Sequence, residues 1–398
     1  MSRLLFISGS IGLGHIWRDI QIARCLRRHH PDVEISWLAD HPATLVLEEN
    51  GEYLLPEHRD IAMGTEAVDG LSSGFRTNNL SRWAQTTKHG APHNVEILRG
   101  LLRREGFDLI IGDETYDLGM ELFLRSERMD APYIELYDFL GLDAMRPHLS
   151  DRLSTFLLNR RWYKYISATP RCAERFVFLG EPEDIPDRRF GPLLPHRRRF
   201  ARRHIDFAGY VLPFDPAELA DQERMKRELR YGMEPLVICS VGGTAAGKPL
   251  LDLCVKAFRL VRKDIPDLRM VLACGPRVDL SGVEREDGVE VQGYVPELYR
   301  HFAAADLCVV AGGGSTTLEL TALRRPFTFF PLEEHSEQHN VALRCKRHNA
   351  GTMMHFPTTD PTGLAEAIVR DIGRPVSYAH LPLEGARKVT SIARGYLN

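Results

Sequence analysis

A histidine and an aspartate each follow an apolar segment that is typical of a buried strand. His15 comes a few residues after the segment 4–7, and Asp113 comes directly after the segment 109–112. The carboxyl ends of parallel strands lie at one edge of a sheet, so we expect both side chains at that edge. The start of a helix is expected to keep the His15 imidazole neutral and able to accept a proton. We therefore predict that His15 is a general base and that Asp113 orients it.

Both residues also have a structural interpretation. His15 could be an ordinary loop histidine, and Asp113 could cap the helix that follows it. Gly12 and Gly14 stand beside His15, in a turn where glycines allow backbone N–H groups to approach a phosphate or a sugar. The spacing of these glycines is not GxGxxG, which argues against a dinucleotide-dependent dehydrogenase.

A second glycine-rich turn follows the apolar segment 236–240. It contains Gly243, Thr244 and Lys248, whose backbone and side chains could contact a diphosphate. Pro249 stands where a Walker A loop carries its magnesium-binding hydroxyl, which argues against an ATPase.

A third glycine-rich turn follows the apolar segment 307–311. A helix that starts with glycines and hydroxyls suits a phosphate, and Glu319 on that helix can accept hydrogen bonds from two ribose hydroxyls. Glu337 and Gln338 come after the next strand and can bind the hydroxyls of a sugar. The residues predicted to contact the phosphates at this turn are Gly313, Gly314, Ser315 and Thr316.

Short apolar segments alternate with longer amphipathic segments along the chain. This alternation predicts parallel sheets covered by helices, the doubly wound α/β class. The pattern restarts after Pro213 and Pro216, and a chain of 398 residues is long enough for two domains. We predict one domain at residues 1–212, a second at 213–380, and a separate terminal segment at 381–398.

The ordered motifs resemble those of GT-B glycosyltransferases, above all the MurG-like group and also the small-molecule UDP-glycosyltransferases. Residues 9–15 resemble the family's GGTGGH-like turn, and residues 242–247 resemble its GGSxGA turn. Glu319, with Pro326 after it, matches the family's ribose-binding glutamate and proline. The pair at 337–338 matches the acidic or glutamine pair that holds the donor sugar.

The chain departs from the family pattern at three places. Thr244 replaces a serine, and Asn340 lies one residue short of the usual asparagine. Residues 209–213 stand where the MurG-like group has an interdomain Gly-Asn-Pro-Val element.

The resemblance implies both an architecture and a reaction. It implies two Rossmann-like domains facing across a cleft, the first binding an acceptor and the second a nucleotide-sugar. The segment 381–398 would then form a helix that packs back on the first domain. The implied enzyme is an inverting hexosyl- or N-acetylhexosaminyl-transferase that favours UDP-sugars, uses His15 as base, and needs no cofactor and no metal. The sequence contains no Asp-x-Asp triplet.

Other functions stay open at this point. A nucleotide-sugar epimerase or hydrolase could use the same fold, and a non-catalytic partner subunit could hold a nucleotide-sugar without turning it over. The acceptor could be a small molecule or a lipid-linked molecule.

The formal net charge of -3 argues against a general nucleic-acid binder. The basic run from Arg197 to Arg203 could contact an anionic membrane surface or a phosphorylated acceptor, or it could be a solvated linker. The sequence shows no signal segment and no stretch approaching 18 apolar residues, so we expect a cytoplasmic protein, with peripheral membrane contact left open.

Overall fold

The computed structural model describes residues 2–9, 12–61, 72–73, 75–77, 90–169, 173–243 and 245–397. The chain forms two compact units. The first comprises residues 1–70, 78–213 and 381–398, and the second comprises residues 71–77 and 214–380.

The first unit is built on a parallel sheet of seven strands. Its strands are β1 (Arg3–Ile7), β2 (Glu34–Leu38), β3 (Tyr53–Leu54), β6 (Leu109–Asp113), β7 (Tyr133–Tyr137), β8 (Arg175–Phe178) and β9 (Asp206–Phe207). They lie in the order β3-β2-β1-β6-β7-β8-β9, and all neighbouring pairs are parallel. Every residue of β6 and β7 is buried, as expected for central strands of a parallel sheet.

Helices with one apolar face accompany this sheet. The helix α1 buries Ile16, Ile20 and Ala23, whose spacing places them on one side of the helix. The described helices of the first unit are α1 (Leu13–His29), α2 (Ala43–Glu49), α3 (Ala91–Arg104), α4 (Tyr116–Leu124), α5 (Leu149–Ser167), α6 (Arg197–His204) and α13 (Gly385–Ala393).

A carboxyl group lies inside the core of the first unit. Glu135 on β7 is completely buried, and the hydroxyls of Tyr137 and Tyr133 donate to it at 3.0 and 3.2 Å. Burial raises the pKa of Glu135 from 4.5 to about 7, although the tyrosine hydroxyls counteract part of that effect. The folded protein therefore keeps a proton on Glu135 at pH values where the unfolded chain has lost it.

We expect this proton to make stability depend on pH. Because the folded pKa is raised, the free energy of unfolding should fall as pH rises from 4.5 to about 7. The expected loss is at most about 3 kcal/mol. In Glu135→Gln the amide keeps a hydrogen-bonding group but cannot ionise, so urea unfolding at pH 5 and pH 7 should show a smaller difference. The exposed Glu48→Gln change is the control, and an undiminished difference in Glu135→Gln would contradict the assignment.

The second unit is built on a parallel sheet of six strands. Its strands are β10 (Leu236–Ser240), β11 (Arg269–Ala273), β12 (Val289–Gln292), β13 (Leu307–Ala311), β14 (Phe327–Phe330) and β15 (Thr352–Met353). They lie in the order β12-β11-β10-β13-β14-β15, which is the 3-2-1-4-5-6 order of a Rossmann sheet. The described helices of the second unit are α7 (Gln222–Glu228), α8 (Lys248–Val261), α9 (Leu298–Ala304), α10 (Gly314–Leu323), α11 (Ser336–Arg347) and α12 (Pro361–Asp371).

The central strands of the second unit contribute to an apolar core on each face of the sheet. Successive residues of a strand point to opposite faces. Val237 and Cys239 on β10 accordingly belong to one core cluster, and Leu236 and Ile238 belong to the other. The prediction of an α/β protein with two parallel, Rossmann-like sheets is confirmed.

One short segment departs from the domain limits predicted from the sequence. Residues 71–77 precede position 212 but group with the second unit, where β4 (Ser72–Ser73) and β5 (Arg76–Thr77) form a small antiparallel pair. Phe75 is fully buried there and stacks on Phe356, with ring centroids 4.6 Å apart. The backbone N–H of Glu333 also donates to the Phe75 carbonyl at 3.2 Å, so both the ring and the backbone join this segment to the second unit.

The C-terminal segment belongs to the first unit, where α13 packs against α1. The backbone N–H of Tyr210 donates to the carbonyl of Pro382 at 2.7 Å. Gly209 precedes this bond with φ of 82°, and a Cβ there would lie 2.6 Å from the Pro382 oxygen. Position 209 therefore requires glycine. Within the described residues, no helix combines the length and the apolar character needed to cross a bilayer.

Candidate functional site

The first candidate site lies at the carboxyl edge of the sheet in the first unit. The strand order reverses between β1 and β6, which pair although they are far apart in sequence. Ligands of open α/β sheets bind outside the strand ends at such a reversal. His15 lies in the first turn of α1, and Asp113 is the last residue of β6. The topology therefore brings together the two residues that the sequence analysis paired.

His15 is surrounded by three carboxylates. Its Nδ1 atom lies 3.1 Å from Asp113 Oδ2. Its Nε2 atom lies 3.6 Å from Glu114 Oε2 and 3.8 Å from Asp138 Oδ2. The Asp113 side chain is completely buried, whereas 14% of the His15 side chain is exposed. The buried Asp113 therefore orients the imidazole, and part of the His15 side chain remains exposed to solvent.

Arg18 completes the group, although the sequence analysis did not single it out. Its Nε and Nη2 donate to the two oxygens of Asp113 at 2.9 and 2.5 Å, and its Nη1 donates to Asp138 at 2.9 Å. Nη2 also lies 2.8 Å from His15 Nδ1. A signal did exist, because residues three apart share one face of a helix. We call His15, Arg18, Asp113, Glu114 and Asp138 the histidine cluster.

The charges of the histidine cluster determine its protonation. Burial lowers the pKa of His15, but Glu114 and Asp113 together outweigh burial and raise it from 6.5 to about 10, with Arg18 acting against them. Burial raises the pKa of Asp113, but Arg18 and His15 overcome this and hold it well below its usual range. The expectation of a neutral His15 is therefore wrong for the ligand-free protein. A helix start exerts a smaller effect than nearby carboxylates inside a protein.

The glycines near the histidine cluster differ in the space that surrounds them. Gly12 is the N-cap of α1, and no atom lies within 4 Å of the place where its Cβ would stand. Gly14 lies in the first turn of α1. A Cβ on Gly9 would instead lie 2.4 Å from Glu114 Oε2. The close approach of Glu114 thus depends on the glycine at position 9.

The second candidate site lies in the second unit, where the strand order reverses between β10 and β13. After β10 the chain turns through Gly243, which is buried, and enters α8 at Lys248. The Lys248 Nζ atom lies 3.0 Å from Asp252 on the next turn. Thr244, the predicted phosphate contact in this turn, lies outside the described residues. Of the three residues predicted to contact a diphosphate here, the structure therefore describes Gly243 in the turn after β10 and Lys248 at the start of α8.

After β13 the chain enters α10 directly. Gly313 is the N-cap of α10, and the first turn of this helix contains Gly314, Ser315 and Thr316. Among the described residues, no side chain caps this helix start and no acidic residue lies in its first turn. No atom lies within 4 Å of the place where a Cβ of Gly313 would stand. Backbone N–H groups at such a start lack partners within the helix, which favours an anion there.

Glu319 lies on α10, beyond this helix start. Its side chain has no hydrogen bond and no ion pair with any described residue. Burial raises the pKa of Glu319 from 4.5 to about 8. The Glu319 side chain is half-buried, so part of it remains accessible from outside the protein. A carboxyl group without a hydrogen-bonding partner among the described residues, close to a helix start that suits a phosphate, is suited to bind hydroxyls of a ligand.

Residues 337 and 338 lie in the first turn of α11. Glu337 is half-buried, and the Gln338 Oε1 atom accepts a hydrogen bond from the Leu332 backbone at 2.8 Å. Gln338 therefore fixes the loop after β14 through one hydrogen bond, and its amide N–H groups are donors that a ligand can use. Arg344, farther along α11, was missed by the sequence analysis. It donates to the Gly314 carbonyl at 2.5 Å and so joins α11 to the start of α10.

The basic run predicted as a surface patch forms the helix α6, and one of its arginines faces inward. Arg197 is buried, pairs with Asp143, and contacts the Leu140 carbonyl at 3.4 Å. Arg197 therefore cannot contact a membrane, and this part of the prediction is wrong. The exposed arginines of the run are Arg199, Arg202 and Arg203.

The described part of the chain contains no group of three or more His, Cys, Asp or Glu residues arranged to hold a metal ion.

Comparison with known proteins relates both units to sugar-transferring enzymes. The family described as "Glycosyltransferase family 28 C-terminal domain" matches residues 237–381, all but the last of which lie in the second unit. A curated relative from Clostridioides difficile (strain 630) is 23% identical over 387 residues, covering 94% of this chain and 82% of its own. It is named UDP-N-acetylglucosamine--N-acetylmuramyl-(pentapeptide) pyrophosphoryl-undecaprenol N-acetylglucosamine transferase.

Two solved structures share the fold along nearly the whole chain. MurG of Acinetobacter baumannii superposes with a TM-score of 0.53 at 14% identity, covering 99% of this chain and 100% of its own. The spinosyn rhamnosyltransferase SpnG, complexed with thymidine diphosphate, superposes with a TM-score of 0.56 at 15% identity. The match covers 100% of this chain and 97% of SpnG.

Proposed function

We propose, from the premise that this chain is a MurG-like glycosyltransferase of the GT-B fold, that it transfers a sugar with inversion from a nucleotide-sugar to a hydroxyl. In this proposal the second unit binds the donor and the first unit binds the acceptor. The reaction uses no metal ion. The observation that carries the proposal is the Glu319 carboxyl group, which has no partner among the described residues and lies on the helix that starts at Gly313.

The donor fits the second unit in three parts. The diphosphate binds at the start of α10, with Gly243 and Lys248 from the neighbouring turn as further contacts. The ribose hydroxyls donate to Glu319, and they are the hydrogen-bonding partners that this half-buried carboxyl group lacks among the described residues. Glu337 and the amide of Gln338 bind the transferred sugar.

His15 takes the acceptor proton in this proposal. The acceptor oxygen attacks the anomeric carbon, and the bond from that carbon to the diphosphate oxygen breaks. The nucleoside diphosphate leaves with the bonding electron pair, and the hydroxyl proton moves to His15. Because the resting imidazole is protonated, His15 must lose that proton before each transfer. Backbone N–H groups at the helix starts stabilise the charge of the leaving group.

UDP-N-acetylglucosamine is the donor that we propose first. The Clostridioides difficile relative carries that donor in its name, and it covers most of this chain. Thymidine diphosphate is the bound ligand of SpnG, so dTDP-sugars are the second class to test.

A thermal-shift screen tests the donor and the absence of a metal requirement together. The protein is heated with UDP-, dTDP-, GDP- and CMP-sugars in buffer containing EDTA. A ligand that binds only the native state raises the unfolding temperature by mass action. We expect a rise with UDP-N-acetylglucosamine that is unchanged by added magnesium. A rise that requires magnesium would contradict the metal-independent proposal.

We further propose that the first unit contacts an anionic membrane surface. Leu149, Leu153 and Leu157 recur every four residues on α5 and are 80%, 59% and 54% exposed. Leu193 is fully exposed in a loop that packs on α5, since a Cβ on Gly191 would lie 2.3 Å from Phe156. Such exposed apolar side chains mark an interaction surface.

The charges beside these leucines favour lipid over a protein partner. Arg152, Arg160 and Lys164 are exposed on α5. Phe200 on α6 packs against Tyr163 of α5, which brings the exposed arginines of α6 to the same part of the unit. Leucines flanked by basic residues suit a surface of anionic lipid.

Vesicle sedimentation checks the membrane proposal. We expect binding to vesicles of phosphatidylglycerol and phosphatidylcholine, because leucines enter the interface and arginines meet the anionic headgroups. The triple change of Leu149, Leu153 and Leu157 to Ser should weaken binding by at least about tenfold. The control is Met233→Ser, which alters an exposed apolar residue in the second unit. Equal sedimentation of the triple variant and the control variant would reject this surface.

A further inference from the structure

We propose that Arg18 is a positioning residue for the transfer reaction, fixing the Asp113 carboxylate against His15 and making the imidazole easier to deprotonate. The inference rests on the proposed role of His15 as the proton acceptor. It concerns a residue with no part in the predicted histidine and aspartate pair.

The guanidinium of Arg18 determines the position of Asp113. Both Asp113 oxygens accept from it, Oδ2 from Nε and Oδ1 from Nη2, which is the two-bond geometry of a planar fork. The third guanidinium nitrogen, Nη1, donates to Asp138. Asp138 is held from the other side by the Tyr116 hydroxyl at 3.2 Å. The carboxylate that faces His15 is thus oriented by Arg18 and not by His15 alone.

Arg18 also contacts the imidazole itself. Its Nη2 lies 2.8 Å from His15 Nδ1, and one turn of α1 connects the two residues. A guanidinium stays charged throughout the working pH range. Nη2 can donate to Nδ1 at this distance only when that ring nitrogen carries no proton, and two cations in contact repel each other more strongly in a buried site than in water. Arg18 therefore disfavours the protonated form of His15, whereas the surrounding carboxylates favour it.

The charged and titratable groups that the structure describes around His15 enter this balance. From α1 they are Arg18 and Asp19, from the end of β6 they are Asp113 and Glu114, after β7 there is Asp138, and on α4 there is Tyr116. Asp19 is buried, and burial, followed by the nearby Asp113 carboxylate, raises its pKa well above the usual range. Among these groups Arg18 alone carries a positive charge. Without Arg18, none of these groups counteracts the effect by which the carboxylates raise the pKa of His15.

The test compares Arg18→Met, Arg18→Lys and an Arg24→Met control in the ligand-free protein and in the transfer assay. Arg24 is exposed on the same helix and donates to Asn50 at 2.7 Å, away from the histidine cluster. Nitrogen NMR of the histidine rings, assigned with a His15→Gln protein, gives the midpoint of His15 deprotonation. The pH dependence of kcat/KM gives the same midpoint from catalysis.

We expect the His15 midpoint to rise by about one pH unit or more in Arg18→Met. It should stay near the wild-type value in the Arg24→Met control. Arg18→Lys keeps the positive charge but loses the planar group that donates to both oxygens of Asp113. The His15 midpoint should therefore stay close to the wild-type value, whereas kcat should fall by a larger factor than KM rises. The Lys variant also provides the test if Arg18→Met does not fold.

The inference would be overturned if the NMR midpoint of His15 in Arg18→Met were unchanged or lower. It would also be overturned if a folded Arg18→Lys protein had the kcat of the wild type. If the NMR midpoint rises and the kcat/KM profile does not move, His15 is not the proton acceptor. The proposed catalytic role of Arg18 then fails together with that of His15, while its electrostatic effect on the imidazole stands.

Discussion

Replacement of His15 by Gln is expected to lower the rate of sugar transfer by about 10² to 10⁴ fold, the usual contribution of a general base. The change should leave donor affinity nearly intact, because the donor contacts lie in the second unit. In the wild type only deprotonated His15 can accept a proton, and its pKa is raised to about 10. The value of kcat/KM should therefore increase with pH by about tenfold per unit until about pH 10. His15→Gln should remove this increase.

The matched control is His29→Gln, at the far end of the same helix. His29 is exposed and contacts the Cys25 carbonyl through Nδ1 at 2.9 Å, so its loss should leave the pH profile unchanged. Steady-state rates from pH 6 to pH 10 make the comparison. A wild-type profile that is flat over this range, or a His15→Gln protein with the wild-type rate, would reject His15 as the base.

Replacement of Glu319 by Ala is expected to weaken nucleotide binding by about 10² fold, roughly 3 kcal/mol, through loss of hydrogen bonds to a charged group. Ribose hydroxyls that donate to the carboxylate stabilise its ionised form. Since burial raises the pKa of free Glu319 to about 8, binding should release a proton. Affinity for UDP should then increase with pH up to about 8 and level off above it. Titration calorimetry in two buffers of different ionisation heat measures both effects.

Two variants give the comparison for Glu319. Glu319→Gln keeps the size of the side chain but cannot ionise, so its affinity should not vary with pH in this range. Glu366→Ala removes an exposed carboxyl group on α12 of the same unit and should bind UDP as the wild type does. Equal affinity in Glu319→Ala and wild type would remove the ribose contact from the account.

The architecture could be predicted because the sequence carries its signals locally. Segments such as 4–7 and 307–311 are continuous apolar strands, and amphipathic helices follow them, so a parallel sheet covered by helices is the arrangement that buries both. Segment 71–77 shows the limit of this approach. Its Phe75 is buried against Phe356, a partner far away in sequence that no local pattern indicates.

The candidate sites could be predicted in part for a similar reason. His15, Asp113 and the start of α10 follow strands, and strand ends meet at one edge of a sheet. Arg18 does not follow a strand, and although it shares a helix face with His15, a charged residue on a helix is usually a solvated one. It is buried only because two carboxylates from β6 and from the chain after β7 converge on it.

The protonation of His15 was predicted wrongly because it depends on residues that are distant in the sequence. Its pKa depends on carboxylates brought together by the fold. Glu114 lies close to the imidazole because Gly9 leaves room for its side chain. The helix start, which sequence does indicate, has the smaller effect.

The account is tested most directly by incubating the protein with UDP-N-acetylglucosamine and a set of hydroxyl acceptors, including polyprenyl-diphosphate sugars, in buffer containing EDTA. Mass spectrometry and NMR follow UDP, the product and the configuration of the new bond. We predict one UDP released for each glycosylated acceptor, with the anomeric configuration inverted. Release of UDP with free sugar alone would indicate a hydrolase and an altered donor sugar an epimerase. A bound donor that is never turned over with any acceptor would contradict the account and indicate a non-catalytic subunit.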